Sequence, residues 1–209
     1  MVAVLTRKRG RGFLRFFLSS AIERLPMIII SPEQFKEVIL SVVEDRGNEA
    51  KLTNLWNRQG EYTNFMLRTL LPDMADKLKL QVYTKDYYLI DSIFYDERNT
   101  VDFPNPNEVY AKYIAIAFEH EHNMIDAHIE INRLSIYNTP LKVLVTYPGN
   151  KYRNDHYERL EVYSRIMKLA DIFSDFSTQK KQLVILGDLR GMSIKWDFYV
   201  YKDGRFIKT

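Results

Sequence analysis

The sequence predicts an α/β domain in which a mixed central sheet is flanked by helices. Three observations predict this class: helical apolar periodicity before residue 80, strand-like β-branched and aromatic runs after it, and buried strands that alternate with amphipathic helices further on. No linker rich in Pro, Gly or Ser divides the chain, and we find no internal repeat. We therefore expect residues 27–209 to form one domain with a single core.

The first third of this domain carries helical patterns. Apolar residues three and four apart predict a helix over residues 33–45, introduced by a helix-start signal at Ser31. A short helical stretch is predicted around residues 52–56. A longer helix is predicted over residues 61–79, and we expect Pro72 to kink it.

Strand chemistry begins at residue 80. β-branched and aromatic residues predict a hairpin of strands 80–83 and 87–95, with a turn at residues 85–86. Residues 187–191 are interpreted as a loop that follows a strand. The other predicted elements are a strand over 109–121, a helix over 124–137, a strand over 141–147, a helix over 156–176, and strands over 182–186 and 194–201.

Composition and charge exclude several classes of protein. The chain has no cysteine, which excludes a disulfide scaffold and a thiolate metal site and is compatible with the cytoplasmic localisation that we expect. No apolar run approaches about 18 residues, so we expect no membrane partner. The net charge of +3 is concentrated in residues 1–26, where six bases face one acid, and residues 27–209 carry −2. A uniformly basic nucleic-acid-binding face is not indicated.

The basic segment over residues 1–26 admits several interpretations. It has the composition of a targeting peptide, a membrane-surface helix or a nucleic-acid-binding arm. The helix-start signal soon after Met27 favours a simpler hypothesis, in which Met27 is the natural start and residues 1–26 are an extension without a core function.

Acidic residues interrupt two of the predicted strands. Glu119 and Glu121 lie at the end of the apolar strand over 109–121, where side-chain alternation puts both on one face. Asp91 lies inside the apolar strand over 87–95. Buried carboxylates need compensation, and a Mg²⁺ ion with its preference for oxygen ligands would supply it. If the two strands are neighbours, these three acids converge on one ion; otherwise they are solvated or hydrogen-bonded structural acids.

This arrangement resembles the PD-(D/E)xK nuclease superfamily, which has the restriction-endonuclease-like fold. The resemblance covers residues 61–148 and rests on the α-β-β-β-α-β order of elements together with the acids. It implies that Asp91 and Glu119 bind the metal and that Glu121 stands where the family has its lysine, as in some type II restriction enzymes. The general base is then either a carboxylate such as Glu121 or absent, with the metal alone activating water.

The resemblance also gives weaker expectations for other residues. Glu61 corresponds in position to a catalytic glutamate of the first core helix, but its helical phase predicts exposure and an ion pair with Arg58 or Arg68. Basic residues are needed for phosphate contact. The candidates for nucleic-acid binding are Lys142, Lys151 and Arg153, and further bases follow as far as residue 181.

The sequence thus predicts a Mg²⁺- or Mn²⁺-dependent phosphodiesterase that acts on DNA, with a homodimer among the expected assemblies. The alternative is a catalytically degenerate module of the same fold that binds nucleic acid or a protein partner, which the missing motif lysine favours. A zinc site is not predicted, because the segment over residues 120–124 reads as strand and lacks the second histidine of a zincin helix. Phosphate-binding loops and acyl-transfer motifs are absent from the sequence.

Overall fold

The computed structural model describes residues 27–101, 108–149, 155–172 and 181–209. The basic segment over residues 1–26 lies outside the described residues, and so do the candidate nucleic-acid-binding residues Lys151 and Arg153. Within the described ranges, no helix is long and apolar enough to cross a membrane.

The helices of the described chain lie in two groups along the sequence. The first group is α1 (Pro32–Val43), α2 (Arg46–Leu55), α3 (Gln59–Phe65) and α4 (Leu71–Leu78), and the second is α5 (His128–Ile136) and α6 (His156–Ile172). The strands are β1 (Gln81–Tyr83), β2 (Ser92–Tyr95), β3 (Ile114–Glu121), β4 (Leu141–Thr146), β5 (Lys181–Arg190), β6 (Ser193–Lys202) and β7 (Arg205–Lys208). A 3-10 turn, Glu97–Asn99, follows β2.

The strands form a seven-stranded mixed sheet whose spatial order follows the chain, from β1 to β7. β3, β4 and β5 run parallel to one another, and the other neighbours are antiparallel. Parallel neighbours need a crossover connection, and α5 and α6 occupy the two crossovers. The predicted α/β class, with a mixed sheet flanked by helices, is confirmed.

Each face of the sheet has its own group of helices. One face packs against α1 to α4, and the other packs against α5 and α6. Along β3, Phe118 belongs to the first core and Ala117 to the second. Alternation then puts His120 on the first face, and Glu119 and Glu121 on the second. His120 and the two acids of β3 therefore lie on opposite faces of the sheet.

Local chemistry explains the helix starts. The Ser31 hydroxyl accepts from the Gln34 N–H, and the Gln34 side chain accepts from the Ser31 N–H, so the predicted start signal of α1 is a capping box. The helix predicted over residues 61–79 runs as α3, a π-helical turn (Met66–Leu70) and α4. Pro72 is the second residue of α4 and lies two positions after this turn. A proline crowds the carbonyl four residues earlier, and the wider π turn accommodates it.

Three strand predictions were wrong in detail. Only residues 92–95 of the predicted 87–95 strand are extended, so Asp91 precedes β2 rather than lying inside it. The central strand begins at Ile114 instead of residue 109. Three strands follow α6 instead of two, because β7 forms after the turn at Asp203 and Gly204.

The loop predicted over residues 187–191 was wrong, because β5 continues through Gly187 as far as Arg190. A Cβ atom on Gly187 would lie 2.6 Å from the Tyr147 ring and 2.9 Å from the Trp196 ring. Because Gly187 has no side chain, these two rings can pack against the backbone of β5 on the first face of the sheet.

Replacing Gly187 by alanine is expected to lower the free energy of unfolding by about 1–3 kcal/mol, because a well-packed site would be overfilled. Denaturant unfolding measures the change. Gly60→Ala is the matched control, since nothing lies within 4 Å of that added Cβ and the residue is in α3. Equal stability of Gly187→Ala and the wild type would contradict the packing described here.

Candidate functional site

Asp91, which immediately precedes β2, lies beside Glu119 of β3. β2 begins at Ser92, which pairs with Phe118 of β3 in an antiparallel register. Continuing this register by one residue puts Asp91 opposite Glu119. The Asp91 backbone N–H donates to Oε2 of Glu119 at 3.2 Å, and the His120 backbone N–H donates to Oδ2 of Asp91 at 2.8 Å. Two of the three acids singled out in the sequence are therefore in contact.

Burial dominates the electrostatics of this pair. Glu119 is 1% exposed, and its Oε1 has no hydrogen-bond partner among the residues that the structure describes. Burial, with the charges of Asp91 and Glu130, raises the pKa of Glu119 to about 10. Burial also raises the pKa of Asp91, although the hydrogen bond from the His120 N–H lowers it. In the absence of a cation, Glu119 therefore keeps its proton at neutral pH.

Glu130 is a third acid of this site, and it was not among the candidate site residues predicted from the sequence. It lies in the first turn of α5, its side chain is only 12% exposed, and it pairs with Arg133 at 2.8 Å. At 100° per residue, Glu130 lies about 40° from Leu134 and about 60° from Ala127 around the helix. Both of those residues are buried, so the helical phase of Glu130 was the available signal.

Glu121 lies on the same face as Glu119 but is the last residue of β3. It is partly exposed, and its Oε1 accepts from the Asn123 N–H at 2.8 Å. Within the described part of the chain, no hydrogen bond joins Glu121 to Asp91 or Glu119. The predicted convergence of three acids thus holds for two of them, and the role of Glu121 stays a prediction.

Glu61 is placed differently from the catalytic position implied by the resemblance. Its side chain is 60% exposed and pairs with Arg58 at 3.1 Å. It belongs to α3, which packs on the first face of the sheet, whereas the Glu119 carboxylate lies on the second face. The surface ion pair that its helical phase predicted is the arrangement found.

Lys142 is also placed differently from the position expected for phosphate contact. It is 5% exposed, and its Nζ donates to the carbonyl of Ser135 at 3.3 Å. The residue lies in β4, where the sheet and α5 enclose it. Buried in this way, its ammonium group is not presented to a nucleic acid at the surface.

Tyr137 holds the turn that leads into Asp91. Tyr88 and Leu89 in this turn have φ angles of 48° and 75°, a left-handed conformation that is unfavourable for side-chain-bearing residues. The Tyr137 hydroxyl donates to the carbonyl of Tyr88 and lies 3.3 Å from that of Tyr87. Residues 87–90 resemble a strand in composition, but this contact and the closing hydrogen bonds make them a turn.

The donor set fits a hard divalent ion with two protein ligands. Among the described residues, no group of three or more His, Cys, Asp or Glu side chains is arranged to hold a metal ion. Mg²⁺ commonly uses one or two carboxylates and completes its shell with water and substrate oxygens. Asp91 and Glu119 can supply the two carboxylates, and the unpartnered Oε1 of Glu119 gains a ligand role in that case.

The comparisons with known proteins do not identify a function for this site. No protein-family model matches the chain, and no curated protein is significantly similar to it. We therefore infer the function from the contacts, burial and charge of the site itself.

Proposed function

We propose that this protein is a Mg²⁺-dependent phosphodiesterase that acts on DNA and that Asp91 and Glu119 hold the metal. The observation that carries the proposal is the buried, unpartnered Oε1 of Glu119 beside the Asp91 carboxylate. An acceptor left unpaired in a protein interior costs about 1–3 kcal/mol, and a divalent cation would remove that penalty.

The arrangement of elements supports the finer proposal of a restriction-endonuclease-like domain. α4, β1, β2, β3, α5 and β4 follow in the order that the resemblance implies, with β1 to β3 antiparallel and β4 parallel to β3. Within this order, Asp91 immediately precedes β2 and Glu119 lies near the end of β3. Both acids project on the side of the sheet that α5 covers.

The residues around the pair have separate roles in this proposal. Asp91 and Glu119 bind the ion, and the His120 N–H orients the Asp91 carboxylate through its 2.8 Å hydrogen bond. A bound Mg²⁺ activates a water molecule and neutralises charge on the scissile phosphate. Glu121, partly exposed and oriented by the Asn123 N–H, is the candidate to accept the proton of that water.

Phosphate contact is assigned to basic side chains on the same side of the sheet. α6 packs on the face that carries Glu119, and it exposes Arg165 and Lys168 to solvent. Arg165 also pairs with Glu161 at 3.9 Å, and Lys168 adds positive charge that residues 27–209 as a whole lack. Lys151 and Arg153 precede the same helix and stay candidates.

Titration calorimetry with Mg²⁺ and Mn²⁺ tests the metal site. The wild type is expected to bind either ion and to gain about 2.7 kcal/mol of stability at a hundredfold excess over the dissociation constant. Asp91→Asn is expected to lose both effects, because the amide is a weaker ligand, while its oxygen still accepts from the His120 N–H. Asp73→Asn, an exposed acid of α4, is the matched control and should behave as the wild type.

The competing function is a degenerate module of the same fold that binds nucleic acid or a protein. The burial of Glu119 favours this function, because burial raises the pKa of the carboxyl group and a proton rather than a metal can then neutralise the site. In that case neither ion binds to the wild type and its melting temperature stays unchanged when they are added. This result would reject the phosphodiesterase.

A further inference from the structure

An open cavity of about 370 Å³ lies on the opposite side of the sheet from the acids. It opens at the end of β3 and β4, where His122 and Tyr147 follow the two strands, and the segment between α2 and α3 forms its other wall. Its volume is within the range of about 300–1,000 Å³ that is typical of small-molecule sites. The lining residues are Trp56, Asn57, Gln59, Tyr62, His122, Tyr147 and Gly149.

Aromatic rings form most of the wall. The Trp56 ring lies 5.2 Å from the Tyr147 ring and 5.8 Å from the Tyr62 ring, in both cases nearly perpendicular to it. The His122 ring stacks on Tyr147 at a centroid distance of 5.6 Å and an interplanar angle of 25°. Rings packed in this manner present a mixture of faces and edges to a ligand of the same kind.

Hydrogen bonds fix these rings from behind. Nε2 of buried His120 lies 2.9 Å from the Tyr147 hydroxyl. Nε2 of His122 lies 3.1 Å from the Gln59 carbonyl, which can only accept, so this nitrogen carries a proton, and it also lies 2.7 Å from Oγ1 of Thr63. The space left by Gly187 completes the support of Tyr147. The cavity wall is therefore built before any ligand arrives, which favours binding.

The polar groups define the chemistry of the ligand. Among the described residues, the lining contains no Asp, Glu, Lys or Arg, so these residues offer no ion pair to a charged group. Asn57 and Gln59 are exposed at the rim, and each carboxamide presents one acceptor and two donor hydrogens. A neutral, planar ring with donors and acceptors along its edge matches this combination. Nucleobases have this chemistry, and proteins recognise them by aromatic stacking and by Asn or Gln side chains.

We propose that this cavity binds a nucleobase, with the ring against the aromatic wall and its edge hydrogen-bonded to Asn57 and Gln59. The site is independent of the metal-binding pair, because the sheet separates the two. The base belongs either to a free nucleoside or to a single-stranded nucleic acid, and both present the same ring.

Fluorescence of Trp56 tests the proposal without any divalent ion present. The chain has two tryptophans, so Trp196→Phe leaves Trp56 as the reporter at the cavity. In this background, adenosine, guanosine, cytidine, thymidine and short single-stranded oligodeoxynucleotides are titrated in the presence of a chelator. We expect a saturable change with at least one nucleoside or oligonucleotide. Saturation by an oligonucleotide alone would identify the base of a nucleic acid as the ligand.

Two substitutions separate specific binding from quenching. Asn57→Ala and Gln59→Ala are expected to weaken the affinity about tenfold or more, since each removes the edge contacts. Gln59→Ala keeps the backbone carbonyl that holds His122, so the wall stays intact. Gln81→Ala, an exposed amide of β1, is the control and should bind as the parent does. Asp91→Asn should also bind normally, which makes failure of this site distinguishable from failure of the metal site.

Three results would overturn the proposal. They are the absence of a saturable signal with every nucleoside and oligonucleotide, equal affinities in the Asn57→Ala, Gln59→Ala and Gln81→Ala variants, and an equal response to ribose or inorganic phosphate alone. An equal response to ribose or inorganic phosphate would mean that the cavity does not recognise the ring of the base.

Discussion

Asp91→Asn is expected to lower metal-dependent cleavage of DNA at least about 100-fold while leaving the fold intact. A metal at a scissile phosphate contributes several kcal/mol to transition-state stabilisation, and each 1.36 kcal/mol is a tenfold change in rate. The asparagine oxygen keeps the acceptor for the His120 N–H, whereas alanine would leave that N–H unpaired. Cleavage of single- and double-stranded substrates with Mg²⁺ or Mn²⁺, beside a thermal melt, measures both effects.

Glu61→Gln is the informative control for this experiment. Glu61 was a catalytic candidate by its place in the sequence, yet it forms an exposed ion pair with Arg58 on the other side of the sheet. We expect its replacement to leave the cleavage rate near that of the wild type. Full activity of Asp91→Asn, or loss of activity in Glu61→Gln, would show that the reaction takes place elsewhere.

The parts of the fold that could be predicted were those in which local chemistry and tertiary packing agree. The capping residues of α1 and the continuous apolar runs of β3 and β4 belong to this group. The contact between Asp91 and Glu119 was predicted on the condition that the two strands are neighbours. This condition is met, since β2 and β3 pair in an antiparallel register.

The parts that could not be predicted depend on residues distant in the sequence. Residues 87–90 have the composition of a strand, but the Tyr137 hydroxyl holds them in a turn. Gly187 belongs to a strand because it pairs with Trp196 of β6, and the Tyr147 ring occupies the space that a side chain at Gly187 would need. Neither the Tyr137 contact nor the Tyr147 contact has a local signature, since each joins positions 40 or more residues apart.

Glu130 was missed for a different reason. Its spacing from Arg133 is that of an ordinary surface ion pair, and the pair is present at 2.8 Å. The sequence shows that the helical phase of Glu130 turns it toward the buried side of α5. It does not show which element packs against that side. Only the placement of α5 over β3 reveals that Glu130 raises the pKa of Glu119.

Glu119→Gln is expected to abolish a pH dependence of stability that the metal-free wild type should show. Folding raises the pKa of Glu119 from 4.5 to about 10. Between these values the unfolded chain has lost the proton and the folded chain keeps it, so the wild type becomes less stable as the pH rises. One such group changes the free energy of unfolding by about 1.4 kcal/mol per pH unit. Glutamine imitates the protonated acid and does not titrate.

Metal-free Glu119→Gln should therefore equal the wild type near pH 4 and exceed its stability by at least about 1 kcal/mol at pH 8. Denaturant unfolding in a chelating buffer over this range measures the difference. The other groups facing Glu119 are Asp91, Glu130 with its partner Arg133, and Tyr137, and all are retained in the variant. Glu61→Gln, which removes an exposed acid, controls for the general change in charge.

Adding Mg²⁺ should reverse the order of stability, because the ion takes the place of the proton on Glu119. Metal binding to a protonated ligand releases that proton, so Mg²⁺ should stabilise the wild type more at pH 8 than at pH 6 and leave Glu119→Gln nearly unchanged. If the variant instead follows the wild type at every pH, with and without Mg²⁺, Glu119 is already ionised in the folded chain and needs no cation. Burial of Oε1 would then have to be compensated from within the protein, and the proposed metal site at this pair would be rejected.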